Sequence, residues 1–242
     1  PPRALSPPLS PTVSGSPLFQ LPREVRARIF CYALTTPQPF TWPLASLASN
    51  SGSAPPQITP ALLRVNKTVY AETGPLLYSN NKFMFSHPSD CNMFRWLMDR
   101  KHVTGVTNIC LRIRDRDVRL WTAYLSSTSP SRSLLYDLPN LQTLWIFFRS
   151  SYWIPMHAEL QQSLFRWHND QRLRELCLSL EGKTHADVRL ICVVRAPRDE
   201  VRNLVDTYPH ELQFDIAGDA RTGFRKLFSV NVALELSPVD PP

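Results

Sequence analysis

Glycine is scarce in this chain, with seven in 242 residues. A loop that wraps a phosphate needs glycines close together, because its backbone N–H groups must converge without side chains in the way. Neither G-x-G-x-x-G nor G-x-x-x-x-G-K-[ST] occurs, so the nucleotide-binding folds built on those loops are not expected. The G-x-S-x-G elbow of the α/β-hydrolases is missing as well. The six histidines (His87, His102, His157, His168, His185 and His210) are dispersed, with no H-x-x-x-H pair and none at ligand spacing from a cysteine. No zinc site is expected from them. Cysteine is limited to Cys31, Cys91, Cys110, Cys177 and Cys192, an odd number without a C-x-x-C. Four of the five sit in apolar stretches, where a free thiol behaves as a small hydrophobe. That pattern argues against a disulfide framework and for a reducing compartment, cytoplasm or nucleus. No apolar run approaches the ~20 residues that span a bilayer and no signal-peptide pattern is visible, so membrane is not an expected partner.

Proline, by contrast, is abundant, and thirteen of the 23 fall within residues 1–60. Residues 1–16 read as a disordered leader. Residues 35–59, rich in Pro, Ser and Ala without a period, read as a flexible loop. Hydrophobic residues make up 43% of the chain, enough for a sizeable core. The net charge of +7 and a pI near 9.4 permit contact with nucleic acid, anionic lipid or an acidic partner. The basic residues are scattered, with no run of five. A solvated basic surface is the plainer reading, and nucleic acid is not an expected partner.

Pro22 suits the first position of a helix. Leu21, Val25 and Ile29 follow at i, i+4 and i+8 with Phe30 and Leu34 beside them, Glu24 and Arg28 are spaced to pair, and Pro37 ends the run. A second helix is expected after Thr59-Pro60, with Leu62, Val65 and Val69 as its stripe and Gly74-Pro75 as its end. A short third helix through Leu76, Leu77 and Tyr78 then leads, by the turn at Asn80-Asn81, into the extended segment Lys82–Phe85. Downstream, Val106-x-x-Ile109-x-Leu111, Leu141-x-x-Leu144-x-Ile146 and Leu173-x-x-Leu176-x-Leu178 share one spacing. Each follows a helix-compatible stretch: Ser89–Arg100, Asp115–Ser126 and Met156–His168. Strands alternating with helices favour a parallel sheet. The recurrence fits either irregular leucine-rich-type repeats or an ordinary α/β sheet. Beyond Gly182 come a strand at Val188–Val194, a helix at Arg198–Tyr208, strands at Glu211–Ile216 and Lys226–Leu236, and a frayed tail at 237–242.

Chemistry-bearing clusters are few. Asp115 and Asp117 alternate with Arg112, Arg114, Arg116 and Arg119, which oppose a divalent cation; a self-neutralising surface segment is expected there. No catalytic, metal-ligating or cofactor-binding residue is therefore expected. Trp145-Ile146-Phe147-Phe148 is more telling. Successive strand residues point to opposite faces, so if Leu144, Ile146 and Phe148 face the core, Trp145 and Phe147 face away. On a sheet with one open face those two, with Arg112, Arg114 and Ser179 from neighbouring strands, form a candidate partner or substrate surface. The alternative is that helices cover both faces and all of these residues are core.

Two blocks carry a resemblance. One is Leu18-Phe19-Gln20-Leu21-Pro22-Arg23-Glu24-Val25-Arg26-Ala27-Arg28-Ile29-Phe30. The other is Leu62-Leu63-Arg64-Val65-Asn66-Lys67-Thr68-Val69-Tyr70-Ala71-Glu72 with Leu76-Leu77-Tyr78-Ser79-Asn80-Asn81-Lys82-Phe83-Met84-Phe85. Together they resemble the F-box-like domains of a large fungal family of unassigned function. The resemblance covers residues 18–85. It implies that Leu21, Pro22, Val25, Ile29 and Phe30 face a Skp-type adaptor of a cullin ubiquitin ligase or form the motif core, and that the downstream region holds a protein substrate. The ~25 residues between the first two helices depart from the compact F-box. Glu72, among apolar residues, is expected to accept structural hydrogen bonds rather than to catalyse.

The expected fold is α/β or α+β: an F-box-like helical unit at 17–85, carrying the 35–59 loop, packed on a sheet region at 86–236. The expected function is a non-catalytic protein–protein interaction module, with a ligase substrate-recognition subunit as its sharpest form. A nucleic-acid-associated basic protein, and a structural protein whose helices only cap the sheet, are the alternatives.

Overall fold

A computed structural model describes residues 15–42, 58–150 and 167–239. The fold is α/β. In chain order the described elements are α1 (Pro17–Gln20), α2 (Arg23–Leu34), β1 (Phe40–Trp42), a 3-10 turn at Pro60–Arg64, α3 (Lys67–Asn80), β2 (Phe83–Phe85), α4 (Pro88–Leu97), α5 (Arg100–Val103) and β3 (Asn108–Arg114). Then follow α6 (Val118–Leu125), α7 (Leu134–Asp137), β4 (Thr143–Arg149), α8 (Gln171–Leu180), β5 (Asp187–Pro197), α9 (Arg198–Thr207), β6 (Leu212–Phe214), β7 (Ala220–Thr222), β8 (Arg225–Leu227) and β9 (Val230–Val239). Strands β1, β2, β3, β4, β5 and β9 lie side by side in that order, all parallel. β7 and β8 pair antiparallel with β9, and β6 closes the edge on β7.

One face of this sheet is the core. Phe83 and Phe85, Ile109, Leu111 and Ile113, Leu144, Ile146 and Phe148, Leu190, Cys192 and Val194, and Val232, Leu234 and Leu236 belong to a single apolar cluster. The inward residues of four helices join the same cluster: Cys91 and Phe94 of α4, Val118, Trp121, Tyr124 and Leu125 of α6, Leu173, Leu176, Cys177 and Leu180 of α8, and Val201 and Leu204 of α9. These helices therefore lie on the same side of the sheet. Within the core, Tyr124 Oη donates to the fully buried Asp137 at 2.8 Å, and Arg95 approaches that carboxylate at 3.7 Å. Burial holds Asp137 above the usual carboxylate range.

The N-terminal helices are held by specific polar contacts. Arg26 of α2 forks onto Glu72 of α3, with Nε to Oε2 at 3.0 Å and an Nη to Oε1 at 2.6 Å, and donates to Leu21 O at 2.7 Å. This pair forms instead of the expected Glu24–Arg28 one, and it gives Glu72 a structural role. Asn81 is fully buried at the junction of α2, α3 and β1. Its amide donates to Leu34 O at 2.7 Å and Leu77 O at 2.8 Å, and its Oδ1 accepts from Thr36 N at 2.9 Å. His102 of α5 stacks on Tyr78 at 4.6 Å, and its Nε2 lies 2.8 Å from Tyr70 Oη.

Several expectations need correction. Leu173–Leu178 is helix, not strand. Leu173, Leu176, Cys177 and Leu180 recur at i, i+3, i+4 and i+7 and are buried, and Asp170 caps the helix by accepting from Arg172 N and Leu173 N. Gly74-Pro75 does not end α3, which runs through Pro75 to Asn80. Gly74 serves a close approach instead: a Cβ there would lie 3.2 Å from the His102 ring. The second helix begins at Lys67, where Asn66 Oδ1 caps it by accepting from Val69 N at 2.8 Å; residues 60–64 form a 3-10 turn ahead of it. The expected 35–59 loop contains β1, paired with β2; its residues 43–57 lie outside the described ones. Lys226–Leu236 is not one strand but part of a hairpin, turned at Phe228 with φ 55°. β9 extends to Val239, into the expected tail. Of the expected helix Met156–His168, residues 156–166 lie outside the described ones.

Two predictions follow from this packing. Asn81→Leu strands three backbone groups at once and is expected to lower stability by about 2–4 kcal/mol in urea denaturation. His102 is held below its ordinary pKa of 6.5 by burial first, with Lys101 adding to the effect. A depressed folded pKa means that the unfolded chain takes the proton first. The stability that neutral His102 contributes is thus present above pH 6.5 and lost as pH falls through the folded value. Denaturation midpoints measured from about pH 7.5 to about pH 5.5 should fall more steeply in the wild type than in His102→Phe.

Candidate functional site

Two surfaces carry the residues singled out from the sequence. The first is the outer side of α2. Phe30 and Leu34, spaced i and i+4, turn inward, and Phe30 is 1% exposed. Phe30 is therefore a packing residue of the helical unit, which of its two expected roles is the motif-core one. On the opposite side Val25 and Ile29 are each 42% exposed, Leu21 and Pro22 are exposed just ahead of them, and Tyr32 is 88% exposed. Val25, Ile29 and Tyr32 at i, i+4 and i+7 make one outward stripe. The helix does not need that stripe for its own anchorage, because Arg26–Glu72, Phe30, Leu34 and Asn81 hold it from the inside.

The second surface is the face of the sheet opposite the core helices. Register places Thr41, Met84, Cys110, Trp145, Arg189 and Asn231 in one row across six strands. Arg112, Phe147, Ile191 and Ala233 form the next row. Arg114 pairs with Arg149 in a third, and Arg195 with Ser237 beyond it. Arg112, Arg114, Trp145 and Phe147 thus share this face. Trp145 is half-buried, with Arg189 Cζ 5.2 Å and Lys82 Nζ 5.8 Å from its ring centroid. Ser179 is not part of the surface. It is buried on α8, in the helical layer of the other side, where its hydroxyl donates to Leu176 O at 2.7 Å.

Sequence reading missed two further members, Arg149 and Arg195. Both are exposed. Arg149 occupies the outward phase set by Trp145 and Phe147, and Arg195 that set by Arg189, Ile191 and Val193. Burial lowers the Arg149 pKa first, and the charges of Arg195, Arg114 and Arg112 lower it further.

Two other clusters of charged groups are paired internally. A cleft of about 630 Å³ beside α6 and α8 is lined by Asp115, Arg116, Arg119, Asp170, Arg172 and Glu175. Its carboxylates are engaged: Arg172 lies 3.4 Å from Asp115, and Asp170 caps α8. Asp215, Asp219 and Glu235 are close enough to share a cation. Arg221 already reaches two of them, donating to Glu235 and, at 3.2 Å, to Asp215. Four of the cysteines, Cys91, Cys110, Cys177 and Cys192, are free and buried. Burial raises these thiols, Cys110 to about 11 and Cys177 to about 12, which suits packing rather than nucleophilic attack. Among the described residues no helix is long and apolar enough to cross a membrane. No family model, curated protein or solved structure matches this chain.

Trp145→Ala separates core from surface on the sheet. Half-buried between two cations, Trp145 is expected to contribute about 1–3 kcal/mol, below the 3–5 kcal/mol typical of a fully buried aromatic. Chemical denaturation of the variant reads this directly.

Proposed function

We propose that this chain is a non-catalytic protein-interaction module that docks through the outward stripe of α2, in the manner of an F-box-like substrate-recognition subunit facing a Skp-type adaptor. The observation that carries the reading is the exposure of Val25 and Ile29 on a helix whose other side is already secured, with Leu21 exposed just ahead of it. A helix that only caps the sheet gains nothing from an aliphatic stripe turned to water, since apolar area left exposed forfeits about 25 cal/mol per Å². A partner helix laid on that stripe recovers it, reading anchors at i, i+4 and i+8. The spacing is that of the Leu-Pro step and first helix of the F-box-like motif. The engaged carboxylates and raised thiols support a binding role rather than catalysis.

Capture of a Skp-type adaptor by the purified chain tests the proposal. Val25→Asp is expected to melt within a few degrees of the wild type while losing at least about tenfold in capture, because the residue is exposed and a charge on an apolar interface is costly. Phe30→Ala should instead lose about 3–5 kcal/mol of stability. A wild-type chain that captures no adaptor, or a Val25→Asp chain that captures it equally well, removes the docking reading.

A further inference from the structure

The outward face of the sheet concentrates like charge. Arg112 and Arg114 of β3, Arg149 of β4 and Arg195 of β5 are all exposed and share that face. Arg114 and Arg149 are register partners on adjacent strands, about 4.8 Å apart along the hydrogen-bonding direction. Arg112 and Arg114 are alternate residues of one strand, separated by about 6.6 Å. Arg149 follows Phe148, which pairs with Cys192, and Arg195 lies three residues past Cys192, so it returns to the same side. Among the described residues none of the four has a hydrogen-bond or ion-pair partner, whereas Arg26, Arg172, Arg189, Arg221 and Arg225 each face a carboxylate. Four uncompensated guanidiniums on neighbouring strands repel one another. Among the described residues no carboxylate offsets that.

We infer that Arg112, Arg114, Arg149 and Arg195 form a docking surface for an acidic peptide segment of a protein partner, lying extended along β3 and β4 with its anionic groups on the guanidiniums. The inference rests on the reading of the chain as an interaction module, but on a different surface from α2. Arginine suits this task because its planar fork donates two parallel hydrogen bonds to a carboxylate or phosphate. An extended peptide presents alternate side chains about 6.6 Å apart, the separation of Arg112 and Arg114, so acids at i and i+2 meet both. Nucleic acid fits less well. Unpaired bases need free aromatic faces to stack on, and Trp145 already has Arg189 and Lys82 against its ring, while Phe147 is half-buried.

The test uses fluorescence anisotropy with the full chain and four probes: a peptide alternating Glu with Ser, the same peptide with Gln for Glu, the same with phosphoserine for Glu, and a single-stranded oligonucleotide. The acidic peptides should bind, the Gln peptide should not, and affinity should fall as salt rises. Tighter binding of the phosphoserine peptide assigns the anion as phosphate; tighter binding of the Glu peptide assigns it as carboxylate. The double variant Arg114→Glu with Arg149→Glu should weaken acidic-peptide binding more than tenfold without lowering the melting temperature. Should it fold poorly, the milder Arg114→Gln with Arg195→Gln should still weaken binding severalfold. Equal binding of the Gln peptide, preference for the oligonucleotide, no binding at all, or variants that bind like the wild type would each overturn the inference. Val25→Asp in the same assay keeps the two proposals apart, since it removes adaptor capture and leaves peptide binding unchanged. Peptide binding without adaptor capture refutes only the α2 reading, and the reverse refutes only this one.

Discussion

The constraint on which the rest depends is that six parallel strands lie side by side in chain order, with α4, α6, α8 and α9 of their connections on one side. A parallel strand cannot follow its neighbour through a tight turn; the chain must travel back along the sheet before it can pair again. Here α4, α6 and α8 make those returns over the same face, and that face becomes the single core. The residues of opposite phase, from Thr41 to Asn231, are thereby left in ordered rows on the other face. Helical layer, apolar core and arginine surface are three results of one winding direction.

The N-terminal unit obeys a different logic. Besides buried Phe30 and Leu34, α2 is attached by polar contacts: a forked ion pair to α3 and one buried amide that bonds three backbone segments. Such contacts fix orientation, because each hydrogen bond tolerates only a narrow geometry. Apolar packing alone would allow the helix to roll and bury Val25 and Ile29. Directional anchorage from beneath holds them outward.

Much of this was legible in the chain. The α2 stripe was readable because 3.6-residue periodicity is strong in Leu21, Val25 and Ile29. β3 and β4 were readable because Ile109, Leu111 and Ile113, and Leu144, Ile146 and Phe148, alternate cleanly. The same L-x-x-L-x-L spacing misled at 173–178, where it is equally compatible with a helix; Cys177 and Leu180 complete the helical period, and Leu178 then points to solvent. β1 hid within a proline-rich stretch because its pairing partner, β2, lies more than forty residues on and local propensity does not report it. Pro75 was read as a stop because the packing of Gly74 against His102 is tertiary. On the sheet face, Arg112 and Arg114 were visible as neighbours of one strand. Their grouping with Arg149 and Arg195 is a property of register, which no single segment contains.

β9 occupies an interior position although it is the last described strand. It pairs with β5 along one edge and with β7 and β8 along the other. A polypeptide emerging from the ribosome through residue 229 would have β5, β7 and β8 already made and none of them joined. Its sheet would present open backbone edges until the final insertion, and that interval is when such a chain is most exposed to mispairing with other chains. Among the described strands, the order of synthesis thus leaves the two seams on either side of β9 to close last.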